Sequence, residues 1–354
     1  MTAVIHVVPS FFYDIVRAGD PLSGRRIHMD MKRIVTIGGG TGNFTVLSGL
    51  KDSGHDLSAI VSMADDGGST GVLRTELGVL PPGDVRQCLV ALSRQSELLR
   101  DLFTYRFEGG RFEGANFGNL FLSAMEKITG DFDAAVQRTG EVLRIRGQVI
   151  PVTTDDVVLV ANLKDGTRVK GQAKIHETRL DTDSLLSLEP KASANPRALR
   201  AIADADLVVI GPGDLYSSII PNLLVEGIPE AIRGSAARKI YIANLMTKPN
   251  HTDGFHVADY VRTIERYLGG QTFDAVVYST LEPTREMVAY YAHEGEHPVR
   301  AEDDGFVSSS YERIGAPVLK TQVSVSMNAH DPLPRTLIRH DPVAIAKVLV
   351  ERCL

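Results

Sequence analysis

Arg33-Ile34-Val35-Thr36-Ile37-Gly38-Gly39-Gly40-Thr41-Gly42-Asn43-Phe44 is the stretch that decides the fold class of this chain. A short, largely β-branched run, 33–37, stops at three glycines. Apolar residues then return at Phe44, Leu47 and Leu50, the spacing of one helix face. A second apolar run follows at 57–63, centred on Ile60 and Val61. Strand, glycine-rich turn, helix and strand in that order make a βαβ unit of a parallel sheet. The expected fold is therefore α/β: a Rossmann-like, doubly wound, mostly parallel sheet. Ligands of such sheets collect at the carboxyl ends of the strands. Three predicted strands end in unusual polar or glycine-rich sequence: after Ile37, after Met63 and after Ile210.

The first of these ends gives the nucleotide-binding candidates Gly38, Gly39, Gly40, Thr41, Gly42 and Asn43. Glycines let backbone N–H groups approach phosphate oxygens, and the following helix N-terminus adds a favourable dipole. Gly38 and Gly40 fit the G-x-G of the dinucleotide fingerprint, but Asn43 stands at the third glycine position, and no Gly-Lys-Ser/Thr follows to make a Walker A loop. At the second end, Asp65 and Asp66 stand where an acidic residue would meet ribose hydroxyls. Paired carboxylates with substrate phosphates also suit Mg²⁺, which makes the two aspartates the candidate metal ligands and catalytic residues of a Mg-dependent transferase. A plain solvated turn would use the same residue types. Gly67, Gly68 and Ser69 extend the loop into a stretch resembling an anion-binding nest. Arg74 and Arg86 would add positive charge, although a lone arginine is commonly a surface residue. Asn116, Gly118 and Asn119 read equally as helix capping or ligand contact. The third end is Gly211-Pro212-Gly213-Asp214, and Tyr216, Ser217 and Ser218 open a helix after it, giving a second cradle for phosphate or sugar. Asn244, Thr247 and Asp253 follow the next predicted strand. No G-x-S-x-G elbow is present, and the histidines lack zinc-site spacing.

Composition supports a packed core: 354 residues, 43% hydrophobic and 23% charged. A net charge of −6 argues against wholesale nucleic-acid binding. No run of about 18 uncharged apolar residues exists, so no membrane span is expected. Two distant cysteines, Cys88 and Cys353, read as reduced thiols of a cytoplasmic protein. Residues 1–30 read as a peripheral N-terminal extension, and 31–354 as one α/β domain. Asp84 looks like the N-cap of a helix through Val85, Leu89, Val90 and Leu92. Runs at 157–163 and 167–175 flank Asp165-Gly166, a hairpin signal, so a small β-rich insertion is expected at about 147–200.

The stretches GGGTGNFTVLSGLK, SMADDGGSTGVLRTELGVLPPGDVRQCLVALS, NFGNLFLSAMEKITGDF, VVIGPGDLYSSIIPNLLVEGIPEAI and IYIANLMTKPNHTDGF resemble the YvcK-like gluconeogenesis factor family. That family is a branch of the CofD-like superfamily, named for 2-phospho-L-lactate transferase. The resemblance runs from about residue 32 to the region of Arg339-His340-Asp341-Pro342. It implies a Rossmann-like protein that binds a UDP-sugar, UDP-N-acetylglucosamine or UDP-glucose, and supports cell shape and wall synthesis during gluconeogenic growth. NAD(P) is an alternative ligand. The transferase branch would instead move a phospholactyl group from a nucleotide diphosphate carrier to a deazaflavin, using Mg²⁺. A homodimer and a regulatory protein of wall synthesis are the expected partners. Gly38 to Gly42, Asp65, Asp66, Asn119, Gly211, Gly213, Tyr216, Asn244 and Thr247 match the family motif. Tyr290 or Tyr291, with Arg339, align with its sugar-nucleotide contacts. Two positions depart from it: Ala115 replaces the usual histidine and Asp214 the usual serine. A carboxylate at 214 would repel an anion unless it meets a hydroxyl or a metal.

Overall fold

In the computed structural model, which describes residues 31–180, 184–302, 306, 310–320 and 338–354, the quoted stretch forms β1 (Arg33–Gly38) and α1 (Gly40–Leu50). The expected extension at 1–30 lies outside the described residues. Ile34, Val35, Thr36 and Ile37 are all buried, as in a strand covered on both faces. β1 pairs in parallel with β2 (Asp56–Val61) on one side and β7 (Leu207–Ile210) on the other. Outward from β2 lies β3 (Gln148–Pro151); outward from β7 lie β8 (Arg238–Ile242), β9 (Ala275–Ser279) and β10 (Glu312–Ala316). Every pairing in this seven-stranded sheet, β10-β9-β8-β7-β1-β2-β3, is parallel. The chain leaves β1 towards β2 and later returns to β1's other flank, so the topological switch point lies between β1 and β7. The α/β Rossmann-like expectation holds.

α1 buries Val46, Leu47 and Leu50 against the sheet. Replacing one of these with alanine costs about 2–5 kcal/mol by transfer and cavity terms. Phe44, read as part of that face, is instead 39% exposed. The inward stripe runs through Asn43, Val46, Leu47 and Leu50, which leaves position 44 to one side. Three helices follow β2: α2 (Gly68–Leu77), α3 (Gly83–Leu92) and α4 (Glu97–Thr104). α3 packs along α1 and is buried almost throughout, with Val85, Cys88, Leu89 and Leu92 fully enclosed. Pro82, not Asp84, is its N-cap residue, which moves Asp84 into the first helical turn. α5 (Phe117–Thr129) and α6 (Phe132–Leu143) complete this side; Asn116 caps α5 by accepting the Asn119 amide at 3.1 Å.

The range expected for the insertion, 147–200, opens with main-sheet strand β3. Within it, β4 (Val158–Asn162), β5 (Arg168–Lys170) and β6 (Leu185–Glu189) make a separate antiparallel sheet in the order β5-β4-β6. The Asp165-Gly166 turn joins β4 to β5, with Gly166 at φ +86° and the Thr167 amide on Asp165 Oδ1 at 2.8 Å. The second hairpin arm, expected to reach residue 175, ends early. Gly171 turns the chain at φ +107°, and Gln172–Glu177 forms a helix, α7. Among the described residues, no helix is long and apolar enough to cross a membrane.

Candidate nucleotide-binding crevice

The crevice is built where β1 and β7 diverge. Gly42 holds the two strand ends together: a Cβ there would lie 1.6 Å from the Pro212 carbonyl oxygen, so only glycine allows α1 to pass the second glycine-rich loop. Asn43 is fully buried and donates from Nδ2 to the Ile60 carbonyl at 3.3 Å. Its side chain faces the Cα atoms of Gly38 and Gly211. Asn43 is thus tied to the end of β2 and packed between the ends of β1 and β7, in the crevice floor.

The 38–42 loop does not present an open anion cradle. A Cβ on Gly40 would fall 2.6 Å from Asp84 Oδ1 and 2.7 Å from Gln87 Nε2, and one on Gly39 would meet Asp84 Oδ2 at 3.0 Å and Ser218 Oγ at 2.9 Å. The Gly40 amide donates to Asp84, so a carboxylate of the chain itself sits at the N-terminus of α1. Thr41 bonds Gln87 Oε1 at 3.1 Å. Asp84 is the site residue that sequence reasoning missed. Its signal was the Pro81-Pro82-Gly83 run, which delivers a carboxylate to the first turn of a helix whose later turns are apolar.

Asp65 and Asp66, read as a pair, part company in the structure. Asp66 caps α7, accepting the Gln172 and Ala173 amides at 3.0 and 2.8 Å, so its charge is committed to the inserted segment. As a ribose or metal contact, Asp66 would have to share its oxygens with these two amides. Asp65 turns the other way. Its Oδ1 accepts the Gly67 amide at 3.0 Å, and its Oδ2 lies 3.0 Å from where a Gly83 Cβ would be, one residue from Asp84. Removal from water and then the Asp65 charge push the Asp84 carboxyl up to about 7, against the Gly40 amide and Arg86. Asp65 is raised as well, chiefly by burial and also by the neighbouring Asp66 charge, with the Gly67 amide, Thr70 and Arg74 opposing. Asp84 thus feels the Asp65 charge across Gly83, while Asp65 itself feels that of Asp66.

The remaining predicted residues line or brace the same region. Ser69 accepts from Asn119 Nδ2 at 3.3 Å, and Asn119 Oδ1 accepts from Arg86 Nε at 2.9 Å. Arg86 also reaches the Phe103 carbonyl, and Arg74 binds Asp156 at 2.6 Å and the carbonyls of Asp65 and Val157. Both arginines thus serve internal contacts. Gly67 and Gly68 open α2, Gly68 at φ +48°. After β7, Gly211 is buried and Gly213 partly so. Asp214 Oδ1 accepts the Tyr216 and Ser217 amides at 3.2 and 3.0 Å, capping a π-helical turn over Leu215–Ile219. Lys248 Nζ lies on Asp214 Oδ2 and also contacts His176 of α7. Asn244 donates to the Gly213 carbonyl at 2.7 Å and accepts from Tyr241 at 3.0 Å. Thr247 is buried and spans to His297 through its amide and hydroxyl. Arg339 is exposed and precedes His340, whose Nε2 lies 3.0 Å from the Ala243 carbonyl just past β8. Tyr291 is buried, with its hydroxyl accepting the Ile338 amide at 3.3 Å, whereas Tyr290 is 40% exposed.

Residues 34–323 match the family described as 2-phospho-L-lactate transferase CofD. The gluconeogenesis factor of Bacillus subtilis is 38% identical over 320 residues, covering 90% of this chain and 97% of that protein. The gluconeogenesis factor of Halalkalibacterium halodurans is 45% identical over 275 residues, covering 77% of this chain and 84% of that one. A crystal structure of a UPF0052 family member from Bacillus halodurans superposes with a TM-score of 0.84 at 37% identity, over 91% of this chain and all of that one. The glycine-rich ends of β1 and β7, the Asp65 loop and the Asp84 turn all fall inside the matched region, and this chain belongs to the CofD family, in the branch that contains the gluconeogenesis factors.

Proposed function

We propose that the chain binds a uridine diphosphate sugar at the carboxyl ends of β1, β2, β7 and β8, and acts as a gluconeogenesis factor linking carbon supply to cell shape and wall synthesis in the cytoplasm. One observation carries the reading: two glycine-rich strand ends flank the switch point, locked together at Gly42 and Pro212, with polar side chains of four strand ends converging there. The names of the two relatives, both gluconeogenesis factors, support the link to gluconeogenesis. A homodimer and a wall-synthesis regulator as partner belong to the same proposal. NAD(P) fits less well. Of the two acids read as ribose contacts, Asp66 is held by two α7 amides, and Asn43 fills the fingerprint's third position with a buried side chain.

Mg²⁺ fits the residues present. Asp65 and Asp84 are carboxylates that burial raises first, Asp84 being pushed further by the Asp65 charge, so the site has room for a positive ion. Among the described residues, no group of three or more histidines, cysteines or carboxylates stands ready to hold a metal. Asp65 and Asp84 would hold the ion, and ligand phosphates would complete its shell; bound there, it would neutralise the diphosphate. The same pair favours a second reading, transfer of a phospholactyl-like group from a nucleotide diphosphate carrier to a deazaflavin.

A thermal-shift panel of UDP-N-acetylglucosamine, UDP-glucose, GDP, NAD and a deazaflavin, with and without Mg²⁺, tests the proposal. A ligand at about 100 times its dissociation constant adds about 2.7 kcal/mol of stability. The largest shift is expected from a UDP-sugar. A larger shift from NAD overturns the reading, and one from GDP and deazaflavin favours the transferase.

A further inference from the structure

The loop after β7 resembles a phosphate cradle in sequence: Gly211, Gly213, and then a helical turn whose first amides point outward. In the structure that place is taken. The Asp214 carboxylate accepts the Tyr216 and Ser217 amides through Oδ1, so the anion that such a helix end attracts is already covalently present. A second anion brought to the same amides would meet a fixed negative charge. Lys248, on the loop after β8, binds the other oxygen, Oδ2, and cancels that charge. The side chains of Asp214 and Lys248 remain 16% and 21% exposed, so the pair closes on itself without leaving solvent.

The surroundings add donors and acceptors but little net charge. His176 of α7 touches Lys248, and its ring lies 3.9 Å from Asp214 Oδ2. His251, 1% exposed, is anchored through Nε2 at 2.9 Å from the Ile175 carbonyl. Its Nδ1 lies 3.8 Å from Asp214 Oδ1. Burial alone would raise the Asp214 carboxyl, but His251 and Lys248 outweigh it and hold the group well below the usual carboxylate range. The carboxylate is therefore ionised at any working pH. An ionised acceptor beside an ammonium donor, partly exposed and jointly neutral, matches hydroxyl groups, each of which both donates and accepts. The cluster is also joined to the crevice. Gln172 of α7 reaches the Ser217 carbonyl at 3.4 Å, and Ser218, on the same turn, lies against Gly39 beside Asp84.

We infer that Asp214 and Lys248, with His176 beside them, form a specificity subsite for a neutral, hydroxyl-bearing group carried beyond the diphosphate, and not a second phosphate cradle. The inference rests on the nucleotide-sugar reading and gives it a direction. The diphosphate lies towards Asp65 and Asp84, and the sugar towards the ends of β7 and β8.

Isothermal titration with UDP, UDP-glucose and UDP-glucuronate, in Mg²⁺, tests this on the wild type and on Lys248→Gln and Asp214→Ser, each checked for folding by its melt. The wild type is expected to bind UDP-glucose at least about tenfold more tightly than UDP, as charged-group hydrogen bonds to hydroxyls allow. UDP-glucuronate, whose sugar carries a carboxylate, should bind more weakly than UDP-glucose. Either variant should bring UDP-glucose close to UDP while leaving UDP itself unchanged. Equal losses for UDP and UDP-glucose in a variant would place the pair on the diphosphate and overturn the inference. An unchanged ratio in a folded variant, or a wild-type preference for UDP-glucuronate, would also overturn it; the glucuronate comparison needs no variant. Wild type that binds none of the three would instead remove the nucleotide-sugar reading on which the inference stands.

Discussion

Replacing Asp84 with asparagine should stabilise the protein at alkaline pH while removing its response to Mg²⁺. In the fold the Asp84 carboxyl titrates at about 7, against an ordinary 3.8, because it is crowded by protein atoms and faces Asp65. The sign follows from linkage. Between the two values the folded state holds a proton that the unfolded chain has released, so stability is full below about 3.8 and falls as pH rises towards 7. The shift sets a ceiling of about 4 kcal/mol on the loss. Asp84 keeps some contact with solvent, and screening cuts that to about 2 kcal/mol. An unfolding entropy of about 2.1 cal/mol/K per residue makes this about 3 °C for a chain of 354 residues. His340 complicates the wild-type profile. Burial lowers its pKa to about 4, so it costs stability as pH falls from 6.5 towards 4, the opposite trend over an overlapping range. The quantity to measure is therefore the melting temperature of Asp84→Asn minus that of wild type, from pH 4.5 to 8.5 in chelator. This difference should grow with pH and level off above 8. Millimolar Mg²⁺ at pH 8 should then raise the wild type and leave the variant unmoved. A difference flat in pH, or one in which wild type gains on the variant as pH rises, would refute the assignment of an uncompensated carboxylate pair.

Three further outcomes are expected. Gly42→Ala places a methyl 1.6 Å from the Pro212 carbonyl oxygen and should cost about 3 kcal/mol or more in a denaturant melt; a loss under about 1 kcal/mol would mean that the two strand ends separate easily. Asp66→Ala removes the cap of α7 and should speed amide hydrogen exchange over 172–177 by roughly fivefold or more, for a capping loss of about 1 kcal/mol, whereas Mg²⁺-dependent stabilisation should persist. Loss of the Mg²⁺ response there would return Asp66 to the metal site. His340→Asn should narrow the fall in stability between pH 6.5 and 4.5 by up to about 2 kcal/mol relative to wild type, read from melts at each pH, and an unchanged fall would show that His340 is not held neutral.

The order of strand, glycine turn, helix and strand around residues 33–61 was legible because it is local. β-branched runs, glycine punctuation and helical spacing act over a few residues, and they implied a parallel sheet with a crevice at its carboxyl edge. The Asp165-Gly166 hairpin and the Asn116 cap were legible for the same reason, since turn and capping chemistry lies within three or four residues. Direction of a side chain is not local. Asp65 and Asp66 are neighbours in sequence and looked like one site, yet one faces Asp84 and the other α7, because the segment that Asp66 caps comes about 100 residues later. Asp84 looked like a cap because nothing nearby reveals that its helix abuts the glycine loop 44 residues before it. Asp214 looked like an obstacle to an anion, and the sequence could not say what answers its charge. Tertiary packing supplied Lys248, His251 and His176 from two distant segments and turned an apparent phosphate cradle into a neutral pair. Local propensity and periodicity therefore determined the sheet and the edge where ligands collect. Only the packing of remote segments decided which charges meet there, because a Coulomb interaction depends on distance in space and not on separation along the chain.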